Sequence, residues 1–227
     1  MVKRPLAYPI VMLCLSVLGT LTGVSARAAG TAPGAVDVYL VPLENFPEDT
    51  AKEVAQALSA ELGLTVRSAP ALGPLEVETL PGTRLWNADD MIEKAQAQLG
   101  ALPDRGAATH YVLITERDIK SPAGEGRFEF STHDPRYNTT VVSVARMRDY
   151  VEGRPVVTAH TIQRLYKMAK RNIGELQLGW RRSPHADDLM YTRIITIDDL
   201  DRIGLTHRGP HEGGTPPTSP RGPTYAI

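Results

Sequence analysis

Asn172 to Met190 reads NIGELQLGWRRSPHADDLM. The segment ends a long amphipathic run that starts near Thr158, in which apolar residues recur at Ile162, Leu165, Tyr166, Ala169, Ile173 and Leu176, the spacing of one helical face. Gly179 then closes the helix, because glycine enters the left-handed conformation at no steric cost, and it sends Trp180, Arg181 and Arg182 back across the helix end. A polar loop with His185, Asp187 and Asp188 leads on to Met190.

This skeleton of helix, glycine turn, returning strand and methionine turn resembles the active-site segment of the metzincin zinc peptidases. The archaemetzincin branch carries H-E-x-x-H-x-x-G-x-x-H-C, four residues, then C-x-M. Laid on this chain without a gap, that pattern puts its glycine on Gly179 and its methionine on Met190. The resemblance implies an α/β (α+β) single domain, a mixed twisted sheet with an antiparallel edge strand packed on long helices. It also implies zinc-dependent peptide hydrolysis, with three histidines holding the metal and a glutamate activating water. Those histidine positions are here Asn172, Leu176 and Arg182, and the glutamate position is Ile173. The family's four cysteines, which hold a second zinc, correspond to Ser183, Asp188, Arg208 and His211.

Residues four apart share a helical face, so Asn172 and Leu176 stand where two imidazoles would offer nitrogen to a metal. Leucine has no donor atom, and a neutral amide is a poor zinc ligand. Glu175 lies about 200° round the helix from the base position and reads as a solvated surface charge. A permanent cation at Arg182 would repel a metal ion. The expectation is therefore no zinc and no other cofactor. His207 and His211 are separated by Gly209 and Pro210, which forbid a shared helical face, and both read as exposed tail histidines. His185, Asp187 and Asp188 form either a solvated loop or a weak metal site; His133 and Asp134, before Pro135, read as a turn, and His160 as structural. Asn138-Thr139-Thr140 fits a glycosylation sequon.

The chain has 227 residues, 42% of them hydrophobic, enough for one core and too few for two large domains. Lys3 and Arg4 precede an uncharged stretch from Pro5 to Ala26 with the run IVMLCLSVLG, and Ala26-Arg27-Ala28 offers a cleavage site. Residues 1–28 thus read as a secretory signal peptide; a retained anchor is the competing reading, weakened by Pro5 and Pro9. Export to the periplasm or the extracellular space is expected, with no stable membrane span once the leader is removed. Cys14 is the only cysteine and lies in that leader, so the exported part forms no disulfide and no thiolate metal site. Three of the 25 basic residues lie there too, leaving 22 against 26 acidic, a formal charge of −4 that speaks against nucleic-acid binding.

Residues 29–204 form the expected domain. VDVYLVPL (Val36–Leu43) reads as a buried strand, Phe46–Leu62 as a helix ended by Gly63, and LTVRSA (Leu64–Ala69) as a second strand, which makes a βαβ unit. Residues 70–82 read as a loop, Ala88–Leu99 as a helix capped by Asn87, and His110–Thr115 as a third strand. Arg127–Ser131 and Thr139–Ala145 read as two more strands. The latter resembles the family's VVSLARL segment and is expected to be the antiparallel edge bordering the cleft. Thr196–Ile203 reads as a short helix with Thr196 and Asp199 at capping-box spacing, and residues 205–227 as a disordered Gly/Pro-rich tail. The long helix also carries Arg164, Lys167, Lys170 and Arg171, either its solvated polar face or a patch for an anionic partner.

These readings describe an exported archaemetzincin-like domain without its zinc ligands and general base. Its remaining asset is the cleft between the edge strand and the Thr158–Leu178 helix, which could hold an extended peptide or protein segment by strand addition. A peptidase with a rearranged site and a basic-helix module are the alternatives.

Overall fold

A computed structural model describes residues 34–124, 126–192 and 194–209; the leader expected at 1–28, and the tail from 210 with His211, lie outside the described residues. β1 (Val36–Pro42) is buried along nearly its whole length, as a strand covered on both faces must be. α1 (Glu48–Leu62) follows, with Glu48 and Asp49 at its electropositive start and Gly63, at φ 66°, closing its end. It returns the chain to β2 (Val66–Ser68), parallel to β1. The loop after β2 leads through β3 (Trp86–Asn87) to α2 (Ala88–Leu99), whose cap Asn87 accepts from the Asp89 and Asp90 amides. β4 (Arg105–Thr115) then pairs with the other side of β1, again parallel. Right-handed crossovers that run in opposite directions along a sheet place their helices on opposite faces. Accordingly α1 packs with Val38, Leu40, Val112 and Ile114, and α2 with Tyr39, Val41, Leu113 and Val141.

β5 (Ile119–Lys120) pairs with β3, while β6 (Ser131–Asp134) and β7 (Thr139–Ser143) complete the main sheet in the order β2-β1-β4-β7-β6. The mixed α/β architecture expected from the sequence is therefore present, with β6 the antiparallel strand. Its position differs from the sequence reading. The strand expected over Arg127–Ser131 starts only at Ser131, and His133 and Asp134 lie in it rather than in a turn. β6 is also the edge, whereas all five residues of β7 are buried, as an interior strand requires. The displaced residues serve elsewhere: Glu129 bridges to Ile119, and its carboxylate accepts the Ser121 amide. Asn138, at φ 47°, turns the hairpin and donates to the Ala108 and Thr109 carbonyls, so the sequon asparagine is built into the fold.

After the hairpin of β8 (Asp149–Val151) and β9 (Arg154–Val156) comes α3 (Ala159–Gln177), opened by a capping box between Thr158 and Thr161. α4 (Ile197–Arg202) opens with the Thr196–Asp199 box read from the sequence. α3 lies on the same face as α1, and its Leu165, Met168, Ala169 and Ile173 join that core. The basic residues on it are neither a solvated face nor a free patch, because Arg164, Lys167, Lys170 and Arg171 are all buried. Arg164 forks onto Asp201 and reaches Asp149, Lys167 donates to the Leu200 and Asp201 carbonyls, and Lys170 donates to Glu61 and the Leu205 carbonyl. Long cationic side chains thus fasten the polar C-terminal segment across α3, their aliphatic stems packing beneath it. Residues 205–209 accordingly belong to the domain, and the Leu189 amide also donates to Thr206 O at 3.0 Å.

Candidate functional site

The α3 end is built as its sequence dictates. Leu178 is the C-cap, Gly179 follows at φ 67°, and the Trp180 amide returns to Gly174 O at 2.9 Å. The Trp180 ring lies on Gly174 so closely that an added Cβ would stand 1.9 Å from it. Beyond the turn, Ser183 N donates to Met190 O at 2.8 Å, and the Met190 side chain is fully buried.

The four positions assigned to zinc chemistry sit around this end of α3. Asn172 Oδ1 accepts from Ser131 Oγ on β6 at 3.5 Å, which ties the helix to the sheet edge. Ile173 is fully buried in the hydrophobic core and Leu176 is half-buried. Arg182 Nη2 donates to Glu175 Oε2 at 2.5 Å. Glu175 is therefore not the lone solvated charge its helical angle suggests, because the glycine turn brings Arg182 back onto it. Burial pulls the Arg182 pKa down, and Glu175 partly offsets the effect. Arg171 is fully buried, and among the described residues its guanidinium makes one hydrogen bond, Nη1 to Leu189 O at 2.7 Å. Burial first, then the like charge of Arg182, lowers its pKa to about 9, which leaves it a cation at neutral pH.

Of the second-zinc positions, Asp188 and Arg208 meet, through the Arg208 backbone amide. Asp188, 1% exposed, accepts from Met190 N at 2.7 Å and Arg208 N at 3.1 Å, and its Oδ1 lies 3.0 Å from His207 Nδ1. The Arg208 guanidinium goes to Asp187, so Arg208 meets Asp188 only through its backbone amide. His207 is not an exposed tail histidine: its side chain is 8% exposed and its ring lies 5.2 Å from that of Trp180. The loop at His185, Asp187 and Asp188 is likewise built in, with His185 N donating to Ser183 Oγ.

One buried feature has no signal in the sequence beyond a histidine opening an apolar strand. His110 Nε2 and His133 Nδ1 lie 3.1 and 3.3 Å from Thr140 Oγ1, and Asn138 Oδ1 lies 3.2 Å from His110 Nδ1. Burial pushes the His110 pKa down to about 4. His133 is also lowered by burial, opposed in part by its hydrogen bond with the Thr139 backbone and by the charges of Asp134 and Glu175. Two open concavities, of about 420 and 480 Å³, lie elsewhere: one beside Arg105, Tyr111 and Arg136, the other beside Glu48, Lys52 and Arg67.

No protein-family model and no curated protein matches the sequence. Solved structures do match in fold. A zinc-dependent peptidase from Methanocorpusculum labreanum superposes with a TM-score of 0.62 at 22% identity, covering 76% of this chain and 96% of that one. The archaemetzincin of Methanopyrus kandleri gives 0.58 at 16% identity over 77% and 90%. That of Archaeoglobus fulgidus, complexed with malonate, gives 0.55 at 20% over 75% and 94%. The fold is archaemetzincin-like.

The residues around the α3 end do not fit the zinc ion such a fold implies. Leu176 offers no lone pair, Arg182 offers a cation, and Asn172 Nδ2 and Arg182 Nη1 are buried N–H donors without an acceptor among the described residues, the opposite polarity to a metal ligand.

Proposed function

We propose that the chain is an exported, non-catalytic archaemetzincin-like domain that holds an extended peptide or protein segment in the cleft between β6 and α3. The observation that carries this reading is the Arg182–Glu175 ion pair at the position assigned to the third zinc histidine. A guanidinium held there by its own carboxylate is a settled arrangement of opposite charges, with no lone pair turned to a metal. Leu176 and Ile173 support it, since neither can ligate or abstract a proton. Binding along β6 is supported by its place at the sheet edge, where an added strand finds main-chain partners. Lys3, Arg4, the apolar run and Ala26-Arg27-Ala28 support export to the periplasm or outside the cell. A free basic helix face is not part of the proposal, because those cations are spent inside the fold.

The test uses chain purified from an exporting host and dialysed. Elemental analysis is expected to find no stoichiometric zinc, and a peptidase assay no cleavage that a chelator abolishes. Amides 131–134 should gain hydrogen-exchange protection when a pool of unstructured peptides is added. Reviving catalysis should need Asn172→His, Ile173→Glu, Leu176→His and Arg182→His together. One equivalent of tightly held zinc with chelator-sensitive cleavage in the unmodified chain would establish the rearranged-peptidase reading instead.

A further inference from the structure

A cavity of about 420 Å³ opens between the end of α2, the start of β4 and the turn that joins β6 to β7, and no aspartate or glutamate lines it. We propose that this cavity is a binding site for a small organic anion, whose carboxylate or phosphate meets Arg105 and Arg136 while its body lies against Tyr111 and Tyr137. The site goes beyond the reading of the β6–α3 cleft and does not depend on it.

The charges decide the ligand class. Arg105 is exposed, pairs with no carboxylate among the described residues, and lies beside the Tyr111 hydroxyl. Burial raises the Tyr111 pKa and the Arg105 charge opposes the rise, so the hydroxyl keeps its proton at neutral pH. Arg136 holds Asp134 through Nε and Nη2, which fixes the plane of its guanidinium and leaves Nη1 uncommitted. Three features oppose an anion: Asp134, Glu93 acting on Arg136, and the negative end of the α2 dipole. Both carboxylates bear on Arg136, and Asp104, the chain neighbour of Arg105, is paired with Arg67 at 2.6 Å. Arg105 therefore remains an uncompensated cation at the cavity, and it is the main holder of the acid group.

Size and stiffness favour a small molecule. The space exceeds what one inorganic anion fills and falls within the range of small-molecule pockets. Its walls are tied to one another, so binding costs little ordering. Gln96 Nε2 donates to Thr139 Oγ1 at 3.3 Å, joining α2 to β7, and Asn138 Nδ2 donates to the Ala108 and Thr109 carbonyls, joining the turn to β4. The Arg136 guanidinium lies 5.2 Å from the Tyr137 ring centroid, which sets a cation and an aromatic face side by side. A ring in the ligand can stack on such a face. Entry needs no movement of the core, because the cavity is open and the Arg136 side chain at it is 67% exposed.

The test titrates chain purified from an exporting host with four probes: phenyl phosphate, benzoate, neutral benzyl alcohol and inorganic phosphate. Binding is read by ¹⁵N NMR of the backbone amides. Phenyl phosphate or benzoate is expected to bind about tenfold tighter than benzyl alcohol, with shifts at residues 105–111 and 136–138. Arg105→Gln, at an exposed position, should keep the fold and lose the preference. Arg202→Gln, which removes an exposed cation on α4, should retain it. Whichever of the two acids binds tighter supports the site and names its acid group. Equal binding of the acids and benzyl alcohol, or no shift at these amides with any probe, overturns the site. A preference that survives Arg105→Gln, or that falls equally in Arg202→Gln, overturns it too. Inorganic phosphate bound as tightly as phenyl phosphate overturns the assignment to an organic anion.

Discussion

Asp188 and His207, nineteen residues apart, meet at 3.0 Å between Oδ1 and Nδ1, at a carboxylate only 1% exposed. With the Met190 and Arg208 amides on the same carboxylate, this contact closes the chain after the methionine turn onto the end of the domain. Burial raises the Asp188 pKa, but the hydrogen bonds from Met190, His207 and Arg208 outweigh it and the net shift is downward. A depressed carboxylate contributes stability above its unfolded pKa, lost as pH falls through the folded one. Asp188→Ala should therefore cost about 3 kcal/mol at pH 7, because it leaves buried donors unmatched. Arg208→Ala, which removes an exposed pair with Asp187, should cost at most about 1 kcal/mol. Urea unfolding of both variants decides it; equal costs would mean that the guanidinium carries the cross-link after all.

Gly174 should reject alanine, although alanine is ordinarily better than glycine inside a helix by about 1 kcal/mol. The Trp180 ring occupies the space a Cβ needs, so the returning chain must shift or the ring must leave. Gly174→Ala is expected to destabilise by about 1–3 kcal/mol and to change Trp180 fluorescence. Gly179→Asn is the contrast, since nothing lies within 4 Å of a Cβ there and only its φ of 67° matters. Asparagine tolerates that conformation, so the change should be small. A stabilised Gly174→Ala would show that the ring is not seated on the helix.

What was legible in the sequence was local. Gly63, Asn87, Thr158, Gly179 and Thr196 each mark an element end through chemistry within a few residues, and all do so in the fold. The edge strand was misplaced because Ser131 to Asp134 reads STHD, with no apolar alternation to announce it, while its partner TTVVS carries the strong β pattern. The buried cations of α3 were illegible for another reason. Lys and Arg at helical spacing read as a solvated face unless something covers them, and their cover comes from residues 187–209, chiefly through backbone carbonyls that no side-chain pattern reveals. The Glu175–Arg182 pair was missed because helical angle alone turns Glu175 away, whereas the chain beyond Gly179 comes round to meet it.

His110 should make the fold sensitive to mild acid. Its pKa is lowered by burial to about 4, so between there and the unfolded value of 6.5 the unfolded chain binds more protons than the folded one. Stability then rises with pH across that window and is lost as pH falls through it. The loss is bounded by about 3 kcal/mol. His110→Gln keeps hydrogen-bonding capacity for Thr140 and Asn138 but does not titrate. The difference in unfolding free energy between variant and parent should slope between pH 4 and 6.5 and be flat from pH 7 to 8. A difference that is flat throughout would mean that His110 titrates alike in the folded and the unfolded chain.

Arg164 is the test of whether the buried cations hold the C-terminal segment or merely tolerate it. Its Nε and Nη2 meet Asp201 at 2.6 Å each, and its Nη1 meets Met147 O at 2.6 Å and Asp149 at 2.8 Å. A lysine ammonium has three donors on one atom and cannot span the β8 side and α4 together, so Arg164→Lys should lose about 2 kcal/mol despite keeping the charge. Arg164→Met should lose about 3 kcal/mol, towards the low end for a broken buried pair. The loss is limited because Asp149 and Asp201 are each 30% exposed and can recover water. The decisive measurement is a double-mutant cycle between Arg164→Met and Asp201→Asn, where a fork closed from water should couple by about 1.5 kcal/mol or more. Coupling below about 0.5 kcal/mol is the value of an exposed pair; it would leave α4 held by apolar packing through Leu200 and Ile203 and by the Lys167 bonds to the Leu200 and Asp201 carbonyls.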